Sequence, residues 1–174
     1  MFISQNTVVE VSELNETLNF SRGYGEDIFS AISAGVFLIL IGAIFATTHG
    51  LFGKILDFFR GFNIVRVSDM EIFLPVPASP EAHSIVYSAV AQFSFVWGLF
   101  QIFILAFRFV AGSPPSKKAE TASNVVFWSG ASYLIRAFLN ETTTLKMWFE
   151  FWAGVMMIIG VSLIARAIIL AVGR

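Results

Sequence analysis

The sequence contains no cysteine among its 174 residues, and only 13% of them are charged. The first absence excludes disulfides, thiolate metal sites, iron–sulfur clusters and cysteine nucleophiles. The second argues against a water-soluble fold, because soluble domains carry charge on about a quarter of their residues. A basic cluster is missing too. With a formal net charge of −1, the chain lacks the cationic footprint that nucleic-acid binding requires. No G-x-S-x-G, H-E-x-x-H, P-loop or dinucleotide-binding glycine pattern occurs, and no His–carboxylate cluster is recognisable from spacing. Neither an enzymatic activity nor a cofactor is expected.

What the chain has instead is apolar sequence, 56% of all residues, in long runs, with a mean hydropathy of +0.77. These features predict an all-α integral membrane protein in contact with the lipid bilayer. Residues 1–27 read as an acidic polar tail, with Glu10, Glu13, Glu16, Glu26 and Asp27 against Arg22. Having no basic start followed by an apolar stretch, the tail does not read as a secretory signal peptide. Residues 28–174 read as a single four-helix transmembrane domain, with spans at about 28–48, 82–111, 119–139 and 145–172. Each is long enough for a hydrocarbon core of ~30 Å at 1.5 Å per residue. Ser79-Pro80-Glu81 opens the second span as N-cap, first-turn proline and first-turn acid, and Gly112 with Pro114-Pro115 closes it. Only "NETTT" separates the third and fourth spans, which makes them an antiparallel hairpin.

Between the first two spans lies "LFGKILDFFRGF", residues 51–62. Leu51, Phe52, Ile55, Phe58, Phe59 and Phe62 share one helical face, and Lys54, Asp57 and Arg60 the other. The pattern predicts an amphipathic helix in the headgroup plane, with Phe58 and Phe59 toward acyl chains and Lys54 and Arg60 toward phosphates. Docking of that helix on protein is the alternative. Residues 64–74 alternate in part and are followed by Pro75, Pro77 and Pro80, the pattern of a short hairpin or extended, Pro-rich loop. Bases near the span ends divide four against four, Arg22, Lys117, Lys118 and Arg174 facing Lys54, Arg60, Arg66 and Lys146. The positive-inside rule is therefore tied. The acidic tail and its sequons at Asn15 and Asn19 favour an exterior N-terminus.

Polar side chains at membrane depth are costly, so their placement carries the functional signal. Tyr87, Ser94, Gln101 and Arg108 recur every seven residues in the second span, with Ala91, Gly98 and Leu105 in the same stripe. That stripe reads either as a helix–helix seam or as the lining of a pore or cavity. Ser129, Ser132, Arg136 and Asn140 share a face of the third span, where Arg136 snorkels or binds an anion. In the fourth span, Lys146, Glu150, Ala153, Met157, Gly160, Ile164, Ala167 and Ala171 form a seam of mostly small residues, and Gly35 and Gly42 read as packing positions in the first. Glu150 reads as a local ion pair with Lys146 or as a cation site. His49 and His83 flank one loop, with Asp69, Glu71 and Glu81 on the same side, and form a weak metal-ligand set without motif spacing.

Two functions follow. One is a homo-oligomeric channel or transport-type protein for an ion or small solute, because four helices alone enclose little water. The other is a non-catalytic accessory or scaffold subunit whose stripes meet partner helices of a larger membrane complex.

Overall fold

The computed structural model describes residues 28–66 and 73–173. The acidic tail, its two sequons, Asp69 and Glu71 lie outside the described residues. Contacts divide the chain into two units between Leu38 and Ile39. The described part of the first is the opening half of helix α1, Ile28–Thr47. The second unit continues with α2 (Leu51–Arg60), strands β1 (Phe62–Arg66) and β2 (Phe73–Pro77), and a 3-10 turn, Pro80–His83. Helices α3 (Ser84–Val110), α4 (Pro115–Phe138) and α5 (Leu145–Val172) follow.

The class is all-α apart from the two short strands. Among the described residues, three helical segments are long and apolar enough to cross a membrane: Ile28–Thr47, Pro80–Val110 and Leu145–Val172. Helix α4, which covers the expected third span, does not reach that apolarity. Its place in the fold gives the reason. α4 packs against α3 on one side and α5 on the other, so much of its surface meets protein, and neighbouring helices can accept polar side chains that lipid would reject.

Local chemistry sets the helix ends. Ser79 makes no side-chain capping bond, contrary to its expected role. Pro80 instead opens a tight 3-10 turn that leads into α3, consistent with its fixed φ. At the other end the Ala111 N–H donates to Phe107 O and the Ser113 N–H to Arg108 O. Gly112 holds φ at +64°, a left-handed geometry that glycine adopts without a Cβ penalty. Thr144 caps α5 as a side-chain acceptor from the Met147 N–H at 3.3 Å.

The expected loop is a paired antiparallel hairpin running from Phe62↔Pro77 to Arg66↔Phe73. An Ala78 N–H bond to Gly61 O at 2.7 Å closes its base. Pro75 and Pro77 are tolerated because a strand at a sheet edge need not donate at every position. Val76 enters the main core with Tyr87, Ala91, Leu134, Ile135, Leu139, Trp148 and Phe151. The hairpin thereby closes one end of the α3–α4–α5 bundle with apolar side chains.

The seam between α4 and α5 runs antiparallel in constant register. A Cβ on Gly173 would lie 2.7 Å from Pro115, one on Gly130 2.6 Å from Ile158, and one on Gly154 2.9 Å from Leu134. The buried face of α5 carries Trp148, Phe151 and Ser162, with Val155 and Ile158 half-buried against the core. This corrects the expected seam of Ala153, Met157, Gly160 and Ile164, whose face is exposed. The true seam lies one to two residues further along, or about 150° round the helix. Each helix supplies a glycine to the contact: Gly130 of α4 meets the branched Ile158, and Gly154 of α5 meets Leu134. A Cβ on Gly42 would meet nothing within 4 Å.

Candidate functional site

The heptad stripe of α3 lies against α4. Tyr87, Ala91, Ser94, Gly98 and Gln101 are all buried, Ser94 to 1% and Gln101 to 7% exposure. A Cβ on Gly98 would stand 3.2 Å from Ser129 Oγ and 3.3 Å from its backbone nitrogen, so the two helices approach almost backbone to backbone. Ser132 Oγ donates across the seam to the Ala91 carbonyl at 3.0 Å. Ser94 does not bridge; its hydroxyl returns to Val90 O of its own helix at 2.8 Å. Both readings of the stripe predicted burial from lipid, and within the described residues the neighbour is a helix.

Arg108 closes the other end of the seam. Its Nη1 donates to Lys117 O at 2.7 Å and to Thr121 Oγ1 at 2.8 Å, tying the last turn of α3 to the first turns of α4. Arg136 is exposed, with its guanidinium 5.2 Å from the centre of the Phe95 ring, a cation–π contact. It thus stands apart from Ser132, and Ser129, although it touches Gly98, keeps an exposed edge. Glu150 pairs with Lys146 at 3.5 Å on the exposed side of α5, a pair that contributes about 0.3–0.5 kcal/mol.

Helix α2 presents three faces rather than two. Leu51 is buried, and Phe58 packs edge-on against Phe62, His83 and Tyr87 with ring centres 5.0, 5.1 and 6.0 Å away. Phe52, Leu56 and Phe59 form an exposed apolar face, while Lys54, Asp57 and Arg60 point elsewhere. Phe58 therefore docks on protein, and Phe59 is the residue of the expected pair that remains outward. His83 is engaged in this aromatic cluster and His49 is exposed. Among the described residues no group of three His, Asp or Glu side chains is placed to hold a metal.

One feature escaped the sequence reading. A crevice of about 490 Å3 is lined by Thr48, Ser84, Ile85, Ser88, Ala89, Gln92, Asn140 and Glu141. Ser84, Ser88 and Gln92 recur every four residues on α3, a second polar stripe beside the seam. Asn140 and Glu141 come from the α4–α5 turn, where Asn140 Oδ1 accepts from the Thr142 N–H and hydroxyl at 2.8 and 2.6 Å. The four-residue spacing was the signal available in sequence. That the α4–α5 turn and Thr48 complete the crevice has no sequence signature.

Comparison of the chain with protein-family models, curated proteins and solved structures finds no match in any of the three. The functional reading therefore rests on the chain's own chemistry.

Proposed function

We propose that this protein is a four-span integral membrane protein with an exterior N-terminus, acting as a non-catalytic accessory or scaffold subunit of a larger membrane assembly. One observation carries the choice over a channel. Ser94, Gly98 and Gln101, the side chains best suited to line a path through the subunit, meet α4 instead. Partner helices have surface to meet, because Ala153, Met157, Gly160 and Ile164 of α5 are exposed and small residues permit close approach in a bilayer. Helix α4 counts as the fourth span on the strength of its 24 residues and its place between α3 and α5. Purification from native membranes in mild detergent tests the role: stoichiometric, unrelated chains are expected, and an assembly of this chain alone rejects it.

The second reading, a homo-oligomeric channel or transport-type protein, draws support from the crevice stripe. Single cysteines S84C, S88C and Q92C are expected to react with water-soluble thiol reagents in membranes. S94C and Q101C should stay unreactive within the seam, as should F95C, L99C and F103C facing lipid. Reaction at 94 and 101 would return the pore lining to the α3–α4 stripe. Solute flux in liposomes holding this chain alone decides for the channel.

In either role α2 is an interfacial helix, anchored through Phe58 and immersed through Phe52, Leu56 and Phe59. Each base near an anionic surface contributes about 1 kcal/mol. Lys54→Glu with Arg60→Glu is expected to draw a spectroscopic label at Phe59 toward water in anionic bilayers. A label position unchanged between anionic and neutral lipid would remove the electrostatic part of this reading.

A further inference from the structure

We propose that the crevice beside α3 is a binding site for a primary ammonium headgroup, carried by a membrane amphiphile or by a free amine. The inference rests on the bilayer reading of the helices and adds a ligand to it.

Charge comes first. Glu141 is the only ionisable side chain lining the crevice, and among the described residues it forms no ion pair. A cavity with one carboxylate and no opposing base selects a cation. Size comes second. About 490 Å3 far exceeds a bare monovalent ion and falls within the range of small organic ligands.

Unspent hydrogen bonding comes third. Four helix hydroxyls outside the crevice, those of Ser33, Thr47, Ser94 and Ser162, each donate to a carbonyl of their own helix. Thr48, Ser84, Ser88 and Gln92 make no side-chain hydrogen bond among the described residues. Polar groups at membrane depth without protein partners require water or a ligand. Asn140 has committed its oxygen to Thr142, which leaves its amide N–H groups as donors.

The order of these groups identifies the shape of the ligand. α3 and α4 run antiparallel, in a register set by the Gly98–Ser129 approach and the Ser132–Ala91 bond. That register places Asn140 and Glu141 level with the first turns of α3. Gln92 lies eight residues further along, about 12 Å deeper at 1.5 Å per residue. Beyond it on the same stripe, Val96, Leu99 and Phe103 are exposed and apolar. From surface to depth the wall offers a carboxylate, then hydroxyl and amide donors, then hydrocarbon. An aminophospholipid presents the complementary order of ammonium, phosphate ester and acyl chain. A choline head is excluded from the strongest contact, because its methylated nitrogen has no N–H to donate to Glu141.

Native mass spectrometry and titration of the full chain in detergent provide the test. Probes are phosphatidylethanolamine, phosphatidylcholine and water-soluble glycerophosphoethanolamine. The ethanolamine lipid should bind about tenfold tighter than the choline lipid, the scale of one charge-assisted hydrogen bond. Glu141→Gln, at an exposed turn position, should erase that preference. Binding of the water-soluble head as tightly as the lipid supports the site and identifies a free amine as its ligand. Weaker binding of that head supports it and identifies the lipid. Equal binding of the two lipids, or a preference that survives Glu141→Gln, overturns the proposal. Retention of the chain in carbonate-washed membranes is read separately, so failure of the headgroup site is distinguishable from failure of the bilayer reading.

Discussion

Gly130→Leu is expected to be among the most damaging single substitutions in the helical bundle. The site has no room for even a Cβ, which would sit 2.6 Å from Ile158 Cδ1 and within 3.1 Å of two further atoms of that side chain. Overfilling a packed contact costs about 1–3 kcal/mol and sometimes more, against which leucine regains a little under 1 kcal/mol of helix propensity. We expect a net loss of about 1–2 kcal/mol, measured as equilibrium unfolding from mild detergent into dodecyl sulfate. Adding Ile158→Ala should restore part of it, a non-additivity diagnostic of direct contact. Gly160→Leu is the control. A Cβ there meets nothing within 4 Å, and the substitution should be close to neutral. A large loss at 160, or none at 130, would mean that the α4–α5 register is wrong.

Trp148→Ala should rival it, by the opposite mechanism of leaving a hole. Trp148 is 4% exposed, and its ring lies 6.4 Å from Phe58 of α2, 6.3 Å from Phe62 of the hairpin and 6.3 Å from Phe151 of its own helix. Truncating a buried tryptophan costs about 3–5 kcal/mol. Because the ring joins α2 and the hairpin to α5, amide exchange over 51–66 should accelerate before that of the long helices. Trp152→Ala removes an equal ring that is 47% exposed and should cost far less. Equal losses at the two positions would refute the assignment of the buried face.

What the sequence revealed follows from which physical signals are local. The seven-residue stripe of α3 and the hairpin before it were legible because periodicity and proline act within one segment. The α5 face was misplaced because an almost uniformly apolar helix carries little angular information, and a rule about small residues decided in its place. The glycines at the contact, Gly130 on α4 and Gly154 on α5, lie outside the expected stripe. Helix α4 itself was legible in length and not in environment, since hydropathy describes the solvent a helix tolerates alone. The burial of Ser94, Gly98 and Gln101 was anticipated, with a neighbouring helix as one of two readings, but which helix it would be was not legible. The crevice was the least legible feature. Thr48, Ser88 and Glu141 are unremarkable in their own segments and acquire meaning only when three segments meet.

The central position of a polar helix also bears on how the chain is made. A segment emerging from the ribosome is sorted between water and lipid before its later neighbours exist, and polar side chains weigh against insertion. Helix α4 carries Lys117, Lys118, Glu120 and Arg136 in its end turns and Ser123, Asn124, Ser129 and Ser132 between them, and one of the two walls that accommodate it, α5, is synthesised after it. On the four-span reading, α4 is the span least suited to enter the bilayer by itself. Beside α3, where Arg108 bonds Thr121 and Lys117, it gains one wall at once and the other when α5 follows, which favours entry of α4 and α5 as a hairpin. The six residues that join α4 to α5, 139–144, therefore set a timing as well as a geometry. Lengthening that connection would prolong the interval in which a half-finished chain holds its most polar helix outside the membrane.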